Sequence, residues 1–159
     1  MRLFALLTPA LAALSLTACE EQTTIETGPP AAGAETPEPT MSLGGVDIAG
    51  DVRLTGTEPF WGIDLTGTEM VYGGVDRPEQ RAPRPEPVIQ GTMATWTTET
   101  SEGNPLVVNL METECSDGMS DRTYPLTARV EIGGEVLSGC AASTEWFMRT
   151  GEDGRPREG

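Results

Sequence analysis

The stretch Leu126-Thr127-Ala128-Arg129-Val130-Glu131-Ile132-Gly133-Gly134-Glu135-Val136-Leu137 decides how the rest of the chain is read. Leu126, Ala128, Val130 and Ile132 recur at every second residue, the period of a strand that buries one face. Gly133-Gly134 then supplies the two positive-φ positions of a type I′ turn, so the segment predicts a two-residue hairpin in which Val130 faces Leu137. Cys140 falls just beyond, on the return strand.

The same period continues outward from this hairpin. Leu106, Val108 and Leu110 alternate with Val107, Asn109 and Met111, which predicts a central strand with apolar contacts on both faces; its end carries Cys115, and Asn104-Pro105 marks the turn before it. Ahead of that turn, Met93, Thr95 and Thr97 face one way and Ala94, Trp96 and Thr98 the other, in residue types that strands favour. Val52 and Leu54, then Trp61, Ile63 and Leu65, alternate in turn, and Met70-Val71-Tyr72 returns across a hairpin at Thr66-Gly67-Thr68. Between 76 and 87, Pro78, Pro83, Pro85 and Pro87 stand among charges and predict a long irregular connection, since proline cannot donate to a ladder. No helical period or internal repeat is found. Residues 151–159 read as a polar, frayed tail. Seven or so short strands predict an all-β fold, a small antiparallel barrel or sandwich, forming a single β domain over 46–150.

The N-terminus sets the compartment. Arg2 precedes an apolar run from Leu3 to Leu14, the length of a signal-peptide core and short of the roughly 20 residues that span a bilayer. Leu16-Thr17-Ala18-Cys19 resembles the bacterial lipobox, so 1–18 is expected to be a lipoprotein signal peptide and Cys19 the lipidation site, carrying diacylglycerol and palmitate-type acyl chains. The alternative is ordinary cleavage after Ala18 with Cys19 left as a thiol. Residues 19–45 hold Glu20, Glu21, Glu26, Glu35, Glu38 and four prolines with few large apolar side chains, which predicts a disordered acidic tether. Glu20 is not the aspartate linked to inner-membrane retention, so the expected location is the cell envelope, facing the periplasm, with the outer membrane favoured.

Charge and cysteine narrow the function. The net charge is −15, with no lysine and no histidine. Such a chain does not neutralise phosphates, so nucleic acid is not expected as a partner, and membrane contact falls to the N-terminal lipid alone. With Cys19 consumed by lipid, Cys115 and Cys140 remain as an even pair where disulfides persist, the alternative being two buried thiols. Without histidine there is no Ser-His or Cys-His machinery and no commonest zinc ligand, so neither enzymatic activity nor a cofactor is expected.

Two motifs carry the candidate ligand-binding residues. In Gly56-Thr57-Glu58-Pro59-Phe60-Trp61, a proline stands beside two large aromatics at the mouth of a strand. It reads either as core, with Glu58 in a turn, or as a recognition surface of Glu58, Phe60 and Trp61 suited to sugars or peptides. In Cys115-Ser116-Asp117-Gly118-Met119-Ser120-Asp121-Arg122-Thr123-Tyr124-Pro125, many groups can bond their own backbone; Asp117-Gly118 and Ser120-Asp121 form turns and Asp121 can pair with Arg122. The functional reading gives Asp117, Asp121, Arg122 and Tyr124 to a ligand. Glu112, Glu114, Asp117 and Asp121 offer hard oxygens, but their spacing departs from a calcium loop and no metal site is assigned.

These two motifs, with Gly139-Cys140-Ala141, resemble a family of uncharacterised Gram-negative envelope lipoproteins with an EPFW motif, sometimes joined to META (HslJ-like) domains. The resemblance covers most of the chain after about Leu54 and implies a small envelope β domain with Cys115 and Cys140 paired. It carries no activity. The expected function is a cell-envelope lipoprotein acting as a non-catalytic binding or structural module, with an envelope protein or peptidoglycan as possible partner. The alternative is a periplasmic inhibitor of a cationic hydrolase such as lysozyme, which an acidic surface would attract.

Overall fold

The computed structural model describes residues 41–157; the signal segment 1–18, Cys19 and the tether as far as residue 40 lie outside the described residues, as do 158–159. In chain order the strands are β1 (Ser42–Leu43), β2 (Val46–Asp47), β3 (Val52–Thr57), β4 (Phe60–Thr66), β5 (Glu69–Gly74), β6 (Arg77–Pro83), β7 (Val88–Gln90), β8 (Met93–Glu99), β9 (Pro105–Met111), β10 (Leu126–Ile132) and β11 (Glu135–Ser143), followed by helix α1 (Thr144–Arg149). Strands β3 to β11 form one nine-stranded antiparallel sheet in the order β6-β5-β4-β3-β11-β10-β9-β8-β7, while β1 and β2 pair with each other. The sheet curls into a half-barrel. Its two ends are drawn together where Ser101 N–H, after β8, donates to the Arg81 carbonyl of β6 at 2.8 Å and Asn104 Nδ2 donates to Gln80 Oε1.

The hairpin that opened the sequence reading has the expected register. Val130 pairs with Leu137, and Gly133 and Gly134 take φ of 56° and 88°. The alternating sets fill the concave side: Leu54, Ile63, Leu65, Trp96, Leu106, Leu110 and Val130 are all fully buried. Their removal from water is the main force holding the curled sheet together. Met41, Leu43, Val46 and Ile48 from the β1–β2 region join the same core.

Five expectations change at this level. Residues 41–45, assigned to the tether, contain β1, because Leu43 has apolar surface to bury against the core. The proline-rich 76–87 segment includes strand β6, which is tolerated because β6 is an edge of the sheet and an edge proline sacrifices no ladder bond. The strand covered on both faces is β11, where Cys140, Ala141 and Ala142 are consecutively buried, whereas the second face of β9 is only partly covered. Helix α1 does the covering. It has six residues, too short for a period to register, but Ser143 caps it by accepting from Trp146 N–H at 3.1 Å. Residues 151–157 are not frayed: Gly151 N–H donates to Arg155 O, Arg157 N–H to Arg149 O, and Asp121 N–H to Glu152 O.

Candidate functional site

The first motif is the turn between β3 and β4 and the start of β4. Thr57 pairs with Phe60 across Glu58-Pro59, whose peptide bond is cis, and Gly56 pairs with Trp61. The two aromatics part company. Trp61 is 3% exposed and Phe60 49%, because adjacent residues of a strand point to opposite faces. The Trp61 indole lies over two glycines. A Cβ on Gly56 would stand 2.0 Å from Trp61 Nε1, and a Cβ on Gly139 would stand 2.9 Å from Trp61 Cζ2 and 2.1 Å from the Thr55 carbonyl oxygen. Gly56 and Trp61 of the motif and the distant Gly139 form one packing unit.

The second motif is the loop from β9 to β10. Cys115 and Tyr124 form an isolated antiparallel bridge with bonds of 3.0 and 2.8 Å in the two directions, and the Cys115–Cys140 disulfide fastens the loop to β11. Asp117 is its hub. Its Oδ1 accepts from Met119 N–H at 3.0 Å and Ser120 N–H at 2.8 Å; its Oδ2 accepts from Ser120 Oγ at 2.8 Å and Tyr124 OH at 2.7 Å. Partial burial works against the charge, but the four hydrogen bonds outweigh it and hold the Asp117 carboxyl down to about 2. Burial, followed by the bond to Asp117, pushes the Tyr124 hydroxyl up.

Tyr124 is itself packed beneath α1. Its ring lies 5.0 Å from Trp146 and 5.5 Å from Phe147, in a small second core with Cys140 and Ala142 on the opposite face of β11 from Ala141. Arg122 does not pair with Asp121 as the sequence suggested. Its Nε and Nη2 donate to the Gly151 and Thr150 carbonyls at 3.1 and 2.9 Å, and its guanidinium sits 5.9 Å from the Phe147 ring centre. Those carbonyls follow a helix C-terminus, where a cation is favoured.

The two motifs touch through Thr57 Oγ1, which donates to the Asp117 carbonyl at 3.0 Å. They also share one open depression of about 480 Å³, lined by Thr57 and Glu58 from the first motif and by Ser116, Asp117 and Met119 from the second, but it does not gather the seven candidate residues. Of the seven candidate ligand-binding residues, Trp61 and Tyr124 are buried, and the polar groups of Asp117 and Arg122 are bonded within the loop and its surroundings. Glu58, Phe60 and Asp121 are exposed but line three separate depressions. Phe60 stands at the rim of a shallow groove of about 440 Å³ across β3–β5, with Gly62 and Gly73 paired on its floor. Among the described residues no group of three or more Asp, Glu or Cys is placed to hold a metal, and no helix is long and apolar enough to cross a membrane.

Sequence reasoning missed Trp146 and Phe147, whose signal was a capping Ser143 with Glu145 in the first turn and Arg149 in the last. It also missed Arg84, hidden in the proline run, whose Nη2 donates to the Ile48 and Gly50 carbonyls at 2.6 and 3.0 Å. Compared with known protein families, with curated proteins and with solved structures, the chain finds no match in any of the three.

Proposed function

We propose that this protein is a lipid-anchored module of the bacterial cell envelope, held through Cys19 and facing the periplasm, with a non-catalytic, structural domain. One observation carries the structural part. The residues that would have made a recognition surface are spent on folding: Trp61 on its glycine bed, Asp117 on four internal hydrogen bonds and Tyr124 on the second core. The envelope part is supported by the Leu16-Thr17-Ala18-Cys19 signal and by a Cys115–Cys140 disulfide, which needs an oxidising compartment to persist. The resemblance to envelope lipoproteins rests on the same two motifs and agrees with this reading. Glu20 after the anchor favours the outer membrane over the inner.

Two measurements test it. Metabolic labelling with palmitate should mark the full-length chain and leave Cys19→Ser unmarked; an unmarked wild-type chain would remove the anchor from the account. Tryptophan fluorescence and thermal shift against peptidoglycan fragments, peptides, calcium and lysozyme should give no saturable response that depends on Trp61 or Asp117. A response lost in a folded Asp117→Ala variant would make the loop a binding site. Inhibition of lysozyme would instead favour the acidic inhibitor.

A further inference from the structure

At the end of the half-barrel where β4 starts and β5 ends, Arg77 reaches across to Glu135, 58 residues away in sequence. The two side chains form a two-pronged pair, Nη1 to Oε2 at 2.6 Å and Nη2 to Oε1 at 2.7 Å, and Nη1 also donates to Tyr72 OH at 2.7 Å. Arg77 opens β6 and Glu135 opens β11, strands that stand four places apart in the order β6-β5-β4-β3-β11. On a flat sheet that separation is about 19 Å, so the curl is what lets the side chains meet, and the pair spans the mouth of the curl.

Trp61 lies just inside this bridge. Arg77 pairs with Gly74, Gly74 with Trp61 and Trp61 with Gly56, so the four form one row across the strands, and the indole extends along it as far as Gly139 of β11. Glu135 shares the inward face of the buried Leu137 and stands two inward positions beyond Gly139 toward the rim. A Cβ on Gly74 would stand 3.0 Å from Trp61 Cα and 3.1 Å from Arg77 Cδ, which puts the Arg77 stem against the strand that carries Trp61. Three features make the bridge releasable. Its side chains are 21% and 46% exposed, so salt screens it as it does not screen the apolar core. The β5–β6 ladder shifts register between Tyr72 and Gly74, which detaches the Gly74–Arg77 tip from the regular pairing behind it. Closure also has a cost, because the Trp61 Nε1–H is buried with no acceptor among the described residues, and water would satisfy it once the tip moved. We propose that the Arg77–Glu135 pair is a strap across the mouth of the half-barrel, and that its release swings the β5–β6 tip aside and uncovers the Trp61 indole N–H to water.

In the full-length chain labelled with nitrogen-15, exchange of indole N–H groups with D₂O reads the opening at two places, the signals being assigned through Trp61→Phe and Trp96→Phe. Both residues carry a buried, unpartnered Nε1–H, and Trp96 lies toward the other end of the half-barrel, beside the β4–β5 turn at Gly67. Glu135→Gln keeps the shape of the side chain and removes its charge; it should speed Trp61 exchange roughly fivefold or more and leave Trp96 unchanged. Salt at about 1 M, where screening acts within a few ångströms, should speed Trp61 in the wild-type chain in the same selective way, with no variant required to fold. Unchanged Trp61 exchange in a folded Glu135→Gln chain or in salt, or equal acceleration of Trp61 and Trp96, would overturn the strap and leave the packed Trp61 of the structural reading intact. Trp61 exchanging at the rate of free indole in the untreated wild-type chain would overturn both.

Discussion

At the scale of single residues, glycine at 139 is required by space. A Cβ there would stand 2.1 Å from the Thr55 carbonyl oxygen, which is backbone and cannot swing away. Gly139→Ala should therefore cost about 3 kcal/mol or more in denaturant unfolding. Gly73, on the floor of the outer groove, has nothing within 4 Å of an added Cβ, so Gly73→Ala should stay within about 0.5 kcal/mol of wild type. Equal costs at the two positions would mean that the glycine bed under Trp61 is not what the motif is for. Asp117 gives a prediction in pH. Its carboxyl is held at about 2, below the ordinary carboxylate value of 3.8, so its contribution to stability is complete above about pH 4 and is lost as pH falls through about 2. Asp117→Asn should flatten the acid limb of the stability curve in that window; an unchanged limb would place the acid sensitivity elsewhere.

At the scale of elements, legibility followed burial geometry. Strands with one buried face wrote a period of two into the sequence, which is why Val130 against Leu137 was readable with its register and the alternation through Trp61, Ile63 and Leu65 was readable as a strand. Two elements left no such mark. In β6 only Ala82 is buried, so the edge strand is written in proline and charge and looks like a loop. In α1 six residues make less than two turns, and its packing against Tyr124 could not be foreseen without knowing that the 115–125 loop lies beside β11. The candidate site suffered from the same gap: Glu58, Phe60 and Trp61 are neighbours in sequence, but the pleat separates the buried indole from the exposed phenyl ring. Removing the cap of α1 tests its role. Ser143→Ala should cost about 1 kcal/mol and loosen Trp146 and Phe147; a variant as stable as wild type would show that the aromatic contacts alone hold the helix.

At the scale of the whole molecule, an open sheet needs something to keep it curled. The concave core does most of this, and Ser101 to Arg81 and Asn104 to Gln80 link its two ends. The Cys115–Cys140 bond closes a loop with a sequence separation of 25, which on the chain-entropy argument stabilises the fold by roughly 3.5 kcal/mol. Reduction should lower the denaturation midpoint accordingly, and a reduced chain as stable as the oxidised one would mean that the loop is held by Asp117 and the second core alone. A net charge of −15 does nothing for the fold, but it favours solubility and would draw in cationic partners.

Everything said of the first motif turns on Trp61, with Gly56 beneath it, being part of the packed interior and not of a recognition surface. The chain has three tryptophans, so labelling with 5-fluorotryptophan gives three fluorine resonances, and that of Trp61 can be assigned through Trp61→Phe. A buried Trp61 leaves its resonance unmoved between H₂O and D₂O and unbroadened by a soluble paramagnetic agent. A solvent shift approaching that of free fluorotryptophan, with paramagnetic broadening, would put the indole at the surface and restore the motif as a recognition surface.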